Sequence, residues 1–269
     1  MELIFITNDE NSAKCAEDSN ISRIMVDLEI LGKEERQGHL STVISKHTLE
    51  DVAKIRKVVK KSKLLVRVNP INENSKEEIN TVINLGVDII MLPMFTTTKE
   101  VEKFISYVNN RTTTMLLLET PQALVRVDEI LKIKGIDEIH IGLNDLHLGM
   151  KLKFMFELLG GGIVEYLSNK IRNKGIKFGF GGVGRLKEGL LLDPKLILSE
   201  HYRLKSEMVI LSRDFHSHSK TFEDLQNSIN LKEEVEKVNN YLAELKTTSS
   251  NKLEENRKLL IEKINKIIN

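Results

Sequence analysis

Apolar residues along this chain gather into eight short runs instead of alternating with polar ones. The runs are Glu2–Ile6, Arg23–Leu28, Leu64–Val68, Asp88–Leu92, Thr114–Leu118, Glu138–Ile141, Lys177–Phe180 and Met208–Leu211, each dense in Ile, Val, Leu or Met. Strands covered on both faces read this way, as in parallel sheets, because neither face needs polar positions for solvent. Between most of the runs the apolar spacing changes to a helical period. Thr48–Val59 starts with an N-cap Thr and places Glu50 and Asp51 in its first turn, where carboxylates meet the positive end of the helix dipole. Ser75–Leu85 and Thr98–Val108 repeat the design, and Gly86 closes the first of them. Pro121 opens another helix at a position where its missing N–H is harmless. Residues 145–174 contain Gly160-Gly161-Gly162 and are expected to form helix, break, helix.

Eight strands alternating with helices predict an α/β fold, a (β/α)8 TIM barrel over residues 1–219. The segment from Asn8 to Asn20 is short for a full crossover helix. A doubly wound open sheet is the competing architecture, but it calls for a glycine-rich fingerprint after the first strand, and none is present. Residues 220–269 differ in character. Leu231, Val235, Val238, Leu242 and Leu245 follow a four-three heptad spacing, Lys246-Thr-Thr-Ser-Ser-Asn251 reads as a turn, and a second helix from about Leu253 carries Leu260, Ile264, Ile267 and Ile268. This C-terminal helical hairpin must bury its stripe, either on its own barrel or on a neighbouring subunit in a homo-oligomer.

Composition narrows the partners. The 41% apolar share is enough for a substantial core. Lys plus Arg is 40 against 39 Asp plus Glu, a net charge of +1, so no charge excess points to nucleic acid or a membrane surface. Lys60-Lys61-Ser62-Lys63 reads as a solvated helix end, not as a phosphate patch. Cys15 is the only cysteine, which excludes an intrachain disulfide and fits a reducing compartment. The start, Met1 to Thr7, is too short and acidic for a signal peptide, and no apolar run reaches membrane-spanning length. A cytoplasmic protein is expected.

Barrel active sites lie at the carboxyl ends of the strands. There the chain offers Asp27-Leu28-Glu29, Arg67-Val68-Asn69-Pro70, Leu92-Pro93-Met94, Glu119, Asn144-Asp145, Gly181-Gly182-Val183-Gly184-Arg185 and Ser212-Arg213-Asp214. Glu119 and Asp145 suit a hard divalent cation, Mg2+ or Mn2+, which takes oxygen ligands and often uses one or two protein carboxylates. Either acid alone also fits a helix N-terminus. Arg67 suits bidentate contact with an enolate oxygen or a substrate carboxylate, and equally an ion pair with Asp27 or Glu29; the two roles are compatible. His47, just before the helix at Thr48, is a candidate general base, with His39 as a rival. His216 and His218 read as a solvated loop. The Gly181–Arg185 turn is open to a phosphate reading, because a glycine-rich turn before a helix exposes N–H groups to an anion.

The segments Val26-Asp-Leu-Glu29, Val66-Arg-Val-Asn-Pro70, Gly86-Val-Asp-Ile-Ile-Met-Leu-Pro-Met94, Leu117-Leu-Glu-Thr-Pro121 and Ile141-Gly-Leu-Asn-Asp-Leu146 occur in an order that resembles the 4-hydroxy-2-oxoacid aldolases and citrate lyase β-subunits of the phosphoenolpyruvate/pyruvate barrel superfamily. The resemblance implies a divalent metal held by Glu119 and Asp145, Arg67 on the substrate, Asn144 and Gly142 beside it, and reversible C–C cleavage through the enolate of a 2-oxo acid or acyl group. It also implies oligomers that exchange C-terminal helices. Two departures stand out. The aldolase branch has His directly after Asp-Gly-Glu, whereas here Ile30 follows Glu29 and His47 lies beyond a charged segment. Its Gln two residues before the metal-binding Glu is Leu117 here. Two other readings remain beside the lyase: a phosphoenolpyruvate-using transferase or phosphomutase, and a catalytically idle barrel whose tail recruits a partner.

Overall fold

Each of the eight apolar runs forms a strand, and each strand pairs in parallel with the next until β8 returns to β1 and closes the barrel. The computed structural model describes residues 1–32, 47–187, 189–190, 192–219 and 221–269. The strands are β1 (Glu2–Ile6), β2 (Arg23–Asp27), β3 (Lys63–Arg67), β4 (Ile89–Leu92), β5 (Thr113–Leu118), β6 (Glu138–Ile141), β7 (Lys177–Val183) and β8 (Met208–Leu211). The described helices outside the barrel begin with α1 (Glu10–Asp18), α2 (Leu49–Val58), α3 (Ser75–Asn84), α4 (Thr98–Val108), α5 (Pro121–Val125) and α6 (Val127–Ile130). They continue with α7 (Leu143–Gly149), α8 (Glu157–Gly160), α9 (Ile163–Arg172) and α10 (Pro194–Leu204). The first crossover is a full helix after all: Asp9 caps α1 by accepting the Ser12 N–H, and a tight turn through Asn20 (φ 62°) returns the chain to β2.

Residue parity divides the core in two. Ile24, Val26, Leu64, Val66, Leu116, Leu118, Ile139, Ile141, Phe178 and Phe180 point outward into the layer between strands and helices. Ile4, Met25, Leu65, Ile89, Met91, Met115, Leu117 and Met208 fill the barrel interior. Four of these eight are Met, whose unbranched side chain adapts to the tapering space. At the amino-terminal floor sits Arg23, fully buried, with Nη1 and Nη2 2.5 and 2.9 Å from the Glu138 carboxylate and a further bond to Glu2. A buried guanidinium needs such partners, since an unpaired charge there would be strongly destabilising.

The chain ends in α11 (Phe222–Ser228), α12 (Leu231–Leu245) and α13 (Ser250–Ile268). The heptad stripe packs on the chain's own barrel. Leu231, Val235, Val238, Leu245, Leu253, Leu260 and Ile264 join the outer core, with α12 against α1 and α10 and α13 against α10 and α8. Gly160 matters here, because a Cβ at that position would come within 3.0 Å of Ile264 Cδ1. Polar clasps add to the seat: Asn256 Nδ2 donates to Ser199 Oγ at 3.0 Å, and Lys153 Nζ to the Ile268 carbonyl at 2.8 Å. The second helix starts earlier than its apolar pattern suggests, because Ser249 caps it through the Lys252 N–H. Among the described residues no helix is long and apolar enough to cross a membrane.

Candidate active site

The inward parity of each strand continues past its end and delivers polar side chains to the carboxyl mouth. On β2, Arg23 and Met25 are followed by Asp27. On β3, Leu65 is followed by Arg67. Beyond β5, Leu117 is followed by Glu119, and beyond β6, His140 by Gly142. Arg67 is gripped by acids: Nε and Nη2 donate to the two Asp27 oxygens at 2.8 and 2.7 Å, and Nη1 lies 3.3 Å from Glu29 Oε2. Of the two roles foreseen for Arg67, the ion pair with Asp27 and Glu29 is the one present. Burial opposes the guanidinium charge, but Asp27, Glu29 and, further off, Glu119 outweigh it and hold the group well above its ordinary value. The loop after β2 is clipped by the Arg67-Val-Asn-Pro70 motif, where Asn69 Oδ1 accepts the N–H groups of Ile30 and Leu31 at 2.9 and 3.1 Å.

The motif Leu117-Leu-Glu-Thr-Pro121 divides its work by position. Leu117 packs inside, Thr120 caps α5 through the Ala123 N–H, and Pro121 takes the first helical position. Because Thr120 does the capping, Glu119 is free of that duty. Glu119 is buried and accepts the Met94 N–H at 3.2 Å, from a residue held in the left-handed region at φ 53°. Burial first, and then the charge of Asp145, push the Glu119 carboxyl well above the usual range; Arg67 opposes this and Glu29 adds to it. The two acids are thus close enough to repel. Asp145 belongs to the first turn of α7, not to the end of β6 itself. Gly142 lets that turn approach, because a Cβ there would sit 2.7 Å from Glu119 Cβ and 2.8 Å from its Oε2.

Of the remaining candidates, His47 lies at the same end of the barrel, where its Nδ1 accepts the Asp27 N–H at 3.0 Å. Asn144 is exposed on the rim beside Asp145. His39 falls outside the described residues. His216 packs edge-on against Phe5, and His218 pairs with Asp214 at 2.9 Å on an exposed turn. The glycines of the suspected phosphate turn lie elsewhere than expected: Gly181 and Gly182 are inside β7, and the next described helix begins only at Pro194. Arg185 is directed to Ser217 Oγ at 2.6 Å. Among the described residues, no group of three or more His, Cys, Asp or Glu is placed to hold a metal.

The HpcH/HpaI aldolase/citrate lyase family model matches residues 11–160, more than half of the chain. The chain belongs to the HpcH/HpaI aldolase/citrate lyase family. Among solved structures it is similar to an HpcH/HpaI aldolase from Desulfitobacterium hafniense DCB-2, with 12% identity, a TM-score of 0.62, and coverage of 78% of this chain and 85% of that one. It is also similar to an HpcH/HpaI aldolase/citrate lyase family protein from Burkholderia cenocepacia J2315 (12%, 0.62, 78% and 87%). A third similar structure is the citrate synthase SbnG (14%, 0.58, 79% and 86%). No curated protein matches. At these identities the structures attest the barrel alone. The family match spans α1 to α8 and so includes every strand end from Asp27 to Asp145, while β7, β8 and the tail helices lie beyond it.

Sequence reasoning placed Asn69 and Met94 at strand ends without giving them a role: Met94 supplies a backbone donor, which no side-chain pattern announces, and Asn69 holds the β2 loop. It missed His140, which stands inside the barrel, and there a signal existed: a polar residue at the inward position of a short buried strand.

Proposed function

We propose that this protein is a metal-dependent carbon–carbon lyase of the aldolase or citrate lyase type, making or breaking a bond next to a carbonyl through the enolate of a 2-oxo acid or acyl group. One observation supports the reading: Glu119 lies buried at the barrel mouth, within reach of the charges of both Asp145 and Arg67, and Gly142 brings the α7 turn against it. The donor set fits Mg2+ or Mn2+. Glu119 is a buried carboxylate with a long backbone bond and a repelling neighbour, and a divalent cation between the two acids would offset both penalties. Two protein carboxylates are a common share for Mg2+, which keeps other positions for water and substrate. Held by Glu119 and Asp145, the ion would supply Lewis-acid stabilisation of the enolate charge.

The chain's own groups do the rest. Arg67 has five N–H donors; Asp27 takes two and Glu29 faces Nη1, so others remain for a substrate oxygen. Anchored by two buried acids, the guanidinium needs no reorganisation as oxyanion charge develops, and this is how such donors lower a barrier. Gly142 leaves room for the α7 turn, and Asn144 offers an amide at the rim. His47 has a narrower role than a general base. With Nδ1 accepting the Asp27 N–H, the neutral ring carries its proton on Nε2; taking up a second proton requires the Nδ1 bond to break.

Asp145→Asn tests the reading. Mg2+-dependent turnover of 2-oxo acid substrates should fall by about 100-fold or more while unfolding stays cooperative. Calorimetry should show pyruvate or oxaloacetate binding only with Mg2+ present. Full activity in the variant, or binding indifferent to Mg2+, removes the assignment.

A further inference from the structure

His140 faces into the barrel one level below the mouth. In the β5–β6 ladder it stands opposite Leu117, so Glu119 and Gly142 form the next level up. Its Nε2 lies 3.0 Å from the Gly181 carbonyl oxygen. A carbonyl only accepts, so the ring proton is on Nε2 and Nδ1 keeps a buried lone pair without a partner. Burial, reinforced by the charges of Arg23 and Arg67 and opposed by the Gly181 bond, brings the imidazole down to about 4. At neutral pH the ring is therefore a fixed, uncharged donor.

Gly181 is the irregular residue of β7. It has φ 51° and lies where the pairing with β8 slips between Gly179 and Gly182. Leu143 occupies the space a side chain there would take, since a Cβ on Gly181 would be 2.8 Å from Leu143 Cδ1. Leu143 is the first residue of α7, and Asp145 follows two positions later. The bulge is thus held from below by His140 and carries Leu143 above. Both contacts come from the β6–α7 segment that delivers Asp145.

We propose that His140 is a positioning residue: its bond to Gly181 fixes the β7 bulge as the seat of Leu143 and so sets the first turn of α7, with Asp145 on it. The consequence for a bound cation rests on the function proposed above; the seating of α7 does not.

The full-length protein is compared with His140→Phe, which keeps a ring and loses the donor, and His140→Gln, whose amide N–H can reach the same carbonyl. Two quantities are read: amide hydrogen exchange of residues 143–147 without metal, and Mn2+ affinity by electron paramagnetic resonance. His140→Phe should speed exchange there by about 10-fold and weaken Mn2+ by about 10- to 100-fold, the range for a group that orients a ligand through another. His140→Gln should stay within about 3-fold of the parent on both, a difference too small to count as loss of a positioning contact. Unchanged exchange in His140→Phe, or a His140→Gln as disturbed as His140→Phe, overturns the proposal. If His140→Phe does not fold, Leu143→Ala removes the other side of the clamp and must give the same two changes; ordinary exchange in that variant also overturns it. A parent that binds no Mn2+ refutes the cation reading, while the exchange measurement still decides the seating of α7.

Discussion

Glu119 shows how much a single position can carry. It follows Leu117 by two, so strand parity alone turns it inward, and its place after an apolar run marks it as a mouth residue before any coordinates are known. Its contest with Asp145 is different, because it depends on Gly142 letting one turn approach another, and that spacing has no signature in one sequence. Met94 is equally silent: its contribution is a backbone N–H in a left-handed conformation, available to any residue type. Removing one charge of the pair should relieve the metal-free protein. Glu119→Gln is expected to raise stability near pH 7 by about 1 kcal/mol, about 3 °C in melting temperature, while abolishing Mg2+-dependent turnover. Thermal unfolding with a chelator present checks the first effect and a turnover assay the second. A variant that melts below the parent would mean that burial and repulsion do not oppose the Glu119 charge.

At the scale of elements, strands were legible because buried parallel strands leave no polar alternation, and helices because capping residues stand at their starts. Thr48 accepts the expected backbone N–H, whereas α4 is capped by Thr97, one residue before the expected start at Thr98, α5 by Thr120, and Asn74 precedes α3 without a side-chain cap bond. The α1 crossover escaped because its sequence, Glu10-Asn-Ser-Ala-Lys-Cys-Ala-Glu-Asp18, buries no large apolar side chain, only Ser12, Ala13, Ala16 and Glu17. The same helix carries a second surprise. Glu17 is buried and accepts three consecutive N–H groups, from Lys60, Lys61 and Ser62, at 2.7, 2.5 and 3.0 Å. The basic run read as a solvated helix end thus has its backbone N–H groups on an internal anion. Burial works against the Glu17 charge, but these bonds and Lys14 overcome it and lower the carboxyl to about 2. A lowered folded value gives stability above the unfolded carboxylate range and loses it as pH falls from about 4.5 toward 2. Glu17→Gln should therefore cost about 3 kcal/mol at pH 7 and progressively less below pH 4, as read by urea unfolding at several pH values. A pH-independent difference would show that packing, not charge, fixes this corner.

For the whole molecule, the order of strands and the barrel class could be argued from sequence, whereas the destination of the tail could not. A heptad stripe looks alike whether it meets its own barrel or a second copy, and only the packing of α12 and α13 on α1, α8 and α10 decides. The stripe is consumed internally, so an oligomer built through these helices would have to use their outer faces, where Leu259 is 43% exposed. Deleting residues 231–269 should uncover Leu196, Ile197 and Leu204 on α10 and lower the melting temperature by at least about 10 °C, because several large side chains lose their burial together. Calorimetry of the truncated chain checks this, with mass in solution read alongside. An undiminished melting temperature would reassign the helices to an assembly role.

Glu138, His140 and Gly142 occupy successive inward positions of one four-residue strand and the residue after it, so β6 reaches from the floor plug through the interior to the lip. A slip of one residue in its pairing would exchange all three for Ile139 and Ile141 and turn the polar set out among the helices. No half-right arrangement of this strand keeps the plug while losing the lip. Populations of molecules that misregister here should contain no half-native fraction: the proposed activity and native compactness must appear together during refolding, along one time course.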